Sequence, residues 1–210
     1  MLKFEEIFTT AHTGKMEGMI SISTPSNLND FCKKMKANCE LICSKCYTEK
    51  GFLKTVANSK KLKNNHELLT KPFDWQSIKH LEKIRGYDYF RFEAFGELNN
   101  EQQLINYLNL VRLFPNTFFS LWTKRTDLVA KVLTLENKPS NFNLIISSIK
   151  KNERCDLGLL EPVVDKVFTV FDKDFIKENE TPINCGSKDC FNCKICYTKN
   201  NVKEVNEILK

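Results

Sequence analysis

The chain reads as an α/β protein, an open or incomplete (β/α) barrel of about five to six mainly parallel strands with a cysteine-rich C-terminal segment. Strand-like runs alternate with amphipathic helical runs, which calls for parallel pairing through right-handed crossovers. The strand runs are also apolar enough to be covered by helices. About five of them stand out, too few for the eight repeats of a closed barrel.

Residues 13–18 form a loop or turn before residues 19–24, where apolar and hydroxyl side chains alternate as in a strand. Pro25, Ser26 and Asn27 stop it. Residues 29–36 suit a short helix carrying Cys32. Residues 50–71, rich in lysine, asparagine and leucine, read as one or two solvated helices around Asn64, Asn65 and His66. Residues 74–83 read as a helix with Trp75, Ile78, His80 and Leu81 in a buried stripe. Residues 89–95 are the clearest strand, with Phe90, Phe92 and Ala94 pointing one way and Arg91 and Glu93 the other. Asn99 to Gln102 opens a helix to about Leu113, with Leu104, Tyr107, Leu108 and Val111 on its apolar side, and Pro115 and Asn116 end it. Residues 117–124 are the next strand, and Thr126 or Asp127 caps a helix to about Leu135. Residues 143–148 and 166–171 are further strands, and residues 202–209 the final helix. Residues 1–180 thus make the partial barrel, and residues 181–210 a metal-binding segment with a terminal helix packed on the same domain.

A chain of 210 residues and 24.5 kDa buries a core without staples, so its nine cysteines serve another purpose. Eight lie in two runs, Cys32 to Cys46 and Cys185 to Cys196, while Cys155 stands apart. Spacings of two to four residues favour a shared metal over disulfides. The N-terminus lacks a secretion pattern and no run nears the ~20 apolar residues of a membrane span, so a cytoplasmic protein without a membrane partner is expected. The net charge of +6 is spread rather than striped, which supports nucleic-acid binding only weakly. Neither a Ser-His-Asp order nor a phosphate-cradling glycine loop is present. His12, His66 and His80 are scattered, and none has a spacing that joins a cysteine run.

Cys39, Cys43 and Cys46 form a C-x3-C-x2-C loop, which can hold three corners of a [4Fe–4S] cube with the fourth iron open, or most of a zinc site. Cys185, Cys190, Cys193 and Cys196 complete either a closed cube or a structural zinc site. Three plus four is the arithmetic of one open and one auxiliary cluster. Adding Cys32 to the first set gives two four-cysteine zinc sites instead, and a ligand pair from each run would staple the chain ends together. In parallel α/β folds the chemistry gathers at the C-terminal edge of the strands, where the cysteine loop, Glu93 to Glu97, Lys124, Ser147 and Ser148 fall. Arg91 and Glu93 either line a cofactor site there or form a buried pair. Glu97 suits an ammonium group. Lys124 suits a carboxylate or phosphate, or is an ordinary solvated lysine.

Together these residues resemble a family. The C-x3-C-x2-C loop after a first strand is similar to that of radical S-adenosylmethionine (SAM) enzymes. The order Lys15-x2-Gly18, Ser21-x-Ser23, Cys39-x3-Cys43-x2-Cys46-Tyr47, Arg91 to Leu98, then Leu121 to Arg125 resembles the radical-SAM-like phage gene product eighty-eight family. Lys45 stands where radical SAM enzymes usually carry an aromatic, and Gly96-Glu97 is the nearest counterpart of their Gly-Gly-Glu run. The resemblance implies a cluster on Cys39, Cys43 and Cys46 whose fourth iron is chelated by SAM. Reduction of that SAM would yield a 5′-deoxyadenosyl radical, with Glu97 nearest the SAM amino group. The alternative is a non-catalytic iron–sulfur or zinc scaffold that binds nucleic acid or a protein partner.

Overall fold

The computed structural model describes residues 1–46, 48, 56–186 and 189–209. Tyr47 and the first part of the polar stretch 50–71 lie outside the described residues. In chain order the elements are β1 (Leu2–Lys3), α1 (Phe4–Ile7), β2 (Thr9–Thr10), β3 (Ile20–Ile22), α2 (Asp30–Ala37), α3 (Val56–Leu69) and β4 (Ile78–Lys79). Then come β5 (Tyr89–Phe92), α4 (Glu101–Leu113), β6 (Phe118–Thr123), α5 (Thr126–Leu135), β7 (Phe142–Ser147), β8 (Lys166–Phe171), α6 (Lys173–Asn179), α7 (Cys190–Cys193) and β9 (Glu204–Ile208).

Seven strands form one sheet in the order β2-β3-β5-β6-β7-β8-β9, and only the β2–β3 pair is antiparallel. Within this sheet each parallel strand lies beside the sheet strand that precedes it in the chain, so the winding never reverses as it does in a doubly wound sheet. The sheet is open, with β2 and β9 at its edges. β1 and β4 make a separate parallel pair.

Alternation sorts the side chains. Ile20, Ile22, Phe90, Phe92, Phe119, Leu121, Phe142, Leu144, Ile146 and Val167 pack into one core with α4 and α5. Phe92 stacks on Tyr107 of α4 at 4.2 Å and on Phe119 at 5.5 Å between ring centroids. Asn100 caps α4 by accepting from the Gln103 N–H, while Glu101 and Arg112 suit the helix dipole at either end. Before β7, buried Asn141 donates to the carbonyls of Val111, Phe114 and Thr117, satisfying the last turn of α4 and the loop after it. Asn141→Ala removes all three bonds, although the Val111 and Phe114 carbonyls still accept from the Phe114 and Thr117 N–H groups, and is expected to cost about 1–3 kcal/mol. Chemical denaturation of the two proteins measures it.

Three expectations are corrected. Residues 202–209 are not a terminal helix: β9 pairs parallel with β8 from Glu204 to Ile208. The open edge of β8 offers a ladder of hydrogen bonds that outweighs the weak helical propensity of so short a run. Residues 74–83 are not one helix but tight turns, Trp75–Ser77 and Leu81–Gly86, flanking β4. His80 between them is left-handed, with φ 61°, which breaks any helix, and its half-exposed ring faces Glu82 rather than a buried stripe. Glu93 does not continue the face of Arg91. β5 stops at Phe92, and φ 51° at Glu93 swings its carboxyl into the helix layer.

Candidate metal centres

The first cysteine set stands at the C-terminal edge of the sheet. Asn29 caps α2 by accepting from the N–H groups of Phe31 and Cys32, and its own amide donates to the carbonyls of Glu97 and Leu98. That fastening carries Cys32 toward the strand ends. The loop after α2 makes a tight turn at Ile42–Lys45 and is pinned beyond β7, where the Ile42 N–H donates to the Ile149 carbonyl. Cys39 is exposed, whereas Cys32, Cys43 and Cys46 are half-buried. The Cys46 thiol lies 3.0 Å from the Thr48 hydroxyl. Burial pushes the thiols of Cys32 and Cys43 up, while the Lys124 ammonium pulls both down.

Glu97 is buried behind this loop. Its carboxylate accepts from the Thr123 hydroxyl and from the N–H groups of Lys124 and Leu98. Glu93 lies deeper still, accepting from the Thr24 N–H and hydroxyl, from Gln103, and from Tyr107 at 2.5 Å. Both carboxylates therefore brace the strand ends. Ser148, at the end of β7, bonds to the Thr169 hydroxyl and accepts from the Cys155 N–H, and that thiol lies with Asp156.

The second set covers the sheet face opposite the helices. Ser120 donates to the Cys196 carbonyl at 2.8 Å and Asn143 to the Tyr197 carbonyl at 2.7 Å, fastening the segment to β6 and β7. Tyr197 is 1% exposed and packs on Tyr89 and Trp122. Asp189 caps the one-turn α7 that carries Cys190 and Cys193, and Lys194 leaves it at φ 60°. The Cys190 N–H donates to the Lys15 carbonyl at 2.8 Å, and the Lys15 ammonium sits 3.6 Å from the Cys185 sulfur and 2.9 Å from Glu207. Burial raises the thiols of Cys185, Cys190 and Cys196, the last up to about 12. Neighbouring thiols of the set add to the rise at Cys185, Cys190 and Cys196, which Lys15 or Arg91 partly offsets at each. Among the described residues, no three His, Cys, Asp or Glu side chains converge tightly enough to hold one metal ion.

A family model described as Gene product 88 matches residues 5–208. The chain belongs to the Gene product 88 family. No curated protein and no solved structure matches it.

In this Gene product 88 chain the site residues expected from sequence divide between two places. Glu97 and Lys124 lie with Cys32 and Cys43 at the strand ends, and Glu93 lies behind them. Arg91 is corrected away from that edge. Its guanidinium stacks 4.1 Å over Trp122 and contacts the Met16 sulfur at 3.7 Å, beside Cys190 and Cys196. Lys15 and Gly18 serve the second set too, since Gly18 turns at φ 78° against Phe191. Sequence reasoning singled out Lys15 but had no means of linking it to Cys185, 170 residues away. Trp122 and Tyr197 as walls of the second set were missed. For Tyr197 the sequence held one signal, since residues 193–199 repeat much of the pattern of residues 43–50. No helix among the described residues is long and apolar enough to cross a membrane.

Proposed function

We propose that the chain is an iron–sulfur protein, with Cys39, Cys43 and Cys46 holding a [4Fe–4S] cluster with an open iron and Cys185, Cys190, Cys193 and Cys196 holding an auxiliary one. One observation carries the reading: the three-cysteine loop is tied to the C-terminal edge of a sequentially wound parallel sheet, where such folds do their chemistry. That winding also supports a partial (β/α) barrel. The donor sets suit the groups by softness and number, since thiolates bind cluster iron one per corner. Such a cluster, once reduced, would supply one-electron chemistry to a SAM held at its open iron.

The chain's own residues do the rest. Lys124 offsets part of the burial cost of a thiolate at Cys43, as Lys15 does at Cys185 and Arg91 and Lys15 do at Cys190. Tyr197, Trp122 and Phe191 keep water from one side of the second set. Glu97, with both oxygens already accepting, holds the Lys124 backbone in place. A second reading, a cluster or zinc scaffold without SAM chemistry, draws support from that same saturation, which leaves Glu97 little capacity for an ammonium group.

Anaerobic reconstitution with iron and sulfide is expected to give a brown protein with about eight irons per chain. Replacing Cys39, Cys43 and Cys46 together by Ala should halve that content. A colourless preparation holding zinc alone sinks the proposal. With iron bound, SAM that alters the cluster's EPR signal and yields 5′-deoxyadenosine supports the enzyme, and SAM that does neither leaves the scaffold.

A further inference from the structure

We propose that a lysine-ringed cleft at the N-terminal ends of β7, β8 and β9 binds a small phosphate-bearing anion of mononucleotide size. The cleft lies at the opposite end of the strands from the Cys39 loop. Its volume is ≈ 350 Å³, more than inorganic phosphate needs and within the range of small-ligand sites. Lys166, Lys199 and Lys203 line it together with Asp165 and Asn143.

Charge is what the cleft fails to balance. Lys138 and Lys199 share one carboxylate, Asp165, at 2.6 and 2.5 Å. Lys166 is aimed by neutral oxygens alone, Asn200 Oδ1 at 2.7 Å and the Val202 carbonyl at 2.6 Å. Lys203 is exposed just before β9, and the adjacent Glu204 is taken by Arg154 at 2.8 Å. Four ammonium groups thus stand around a single carboxylate. Burial first, and then repulsion from Lys199 and Lys203, depresses both Lys138 and Lys166, although Asp165 attracts each and Cys196 attracts Lys166.

Holding ammonium groups together with neutral oxygens stores repulsion that an incoming anion relieves, and lysine is a common point-charge partner of phosphate. Buried Asn143 also has an amide oxygen with no partner among the described residues. Its assignment is settled by the bond from Nδ2 to the Tyr197 carbonyl. An amide oxygen only accepts, so it suits a ligand hydroxyl or amine and not a phosphate oxygen.

Calorimetry on the full chain with inorganic phosphate, pyrophosphate, AMP and ATP tests the proposal. The phosphate esters are expected to bind, ATP more tightly than inorganic phosphate. Lys203→Glu should weaken ATP about ten-fold or more, while Lys203→Arg and a distant exposed control, Lys33→Glu, leave it within about two-fold. The Lys203 side chain makes no hydrogen bond or ion pair among the described residues, and its carbonyl, which accepts from the Val167 N–H, is unchanged, so circular dichroism should show Lys203→Glu folded. Absence of binding, or equal affinity in Lys203→Glu, overturns the site. Binding of single-stranded oligonucleotides alone, lost equally in Lys33→Glu and Lys203→Glu, overturns it in favour of a diffuse nucleic-acid surface. Because the readout needs no iron, its failure is distinguishable from failure of the cluster reading.

Discussion

Gly96→Ala is expected to destabilise the protein by about 3 kcal/mol or more, one of the largest effects of any single methyl group in the chain. A Cβ at Gly96 would land on the carbonyl oxygen of Thr24 and on Oε2 of Glu93, both far inside van der Waals contact. One obstacle is backbone, and the other is a carboxylate fixed by Thr24, Gln103 and Tyr107, so neither swings aside. The junction it would force apart joins the segment after β3 to the segment after β5. Asn29 donates to Glu97 and Leu98 there, and Asn99 donates to the Thr24 hydroxyl at 3.0 Å. Thermal unfolding should drop by about 2–4 °C per kcal/mol for a chain of this size. The same junction positions α2 and the loop behind it, so reconstituted iron should fall with stability. A variant as stable as the parent would show that the junction gives way freely.

Glu93→Ala is expected to cost about 3–5 kcal/mol, because it leaves the Thr24 N–H, the Gln103 amide and the Tyr107 hydroxyl facing a cavity. Glu93→Gln keeps the shape and should keep more of the stability, with the Thr24 hydroxyl free to turn and accept. The pH dependence separates the two effects. Burial pushes the Glu93 carboxyl up from 4.5 to about 8, against the pull of the Tyr107 and Thr24 donors. Between those values the folded chain holds a proton that the unfolded chain has released. Stability therefore declines as pH rises from about 4.5 to about 8 and levels off above it. Glu93→Gln should remove that part of the slope in denaturation series run at several pH values. An unchanged slope would show that Glu93 is ionised throughout.

Much of the fold is legible in local pattern. The runs at 117–124, 143–148 and 166–171 carry strand chemistry in their own side chains, and the sheet uses them almost residue for residue. The capping asparagine before α4 and the prolines that end β3 and α4 act over a few residues and can be read there. The candidate centres are half legible. Spacing alone marks Cys39, Cys43 and Cys46, and Cys185 to Cys196, as two candidate donor sets. It cannot say that Lys15 reaches Cys185, or that Arg91 lies beside Cys190 and not with Lys124, because those contacts cross the sheet.

By itself the sequence determined the alternation of strands and helices, the apolar face each strand buries and the two cysteine sets, all of which depend on neighbours in the chain. Tertiary structure decided the rest. Residues 204–208 became a strand because β8 had an open edge to pair. Glu93 left the face of Arg91 because one left-handed residue ended the alternation where three elements meet. The lysines beside Asp165 came together because parallel winding places the starts of β7, β8 and β9 side by side. Pairing and burial are decided by groups that lie far apart along the chain, and periodicity carries no record of them.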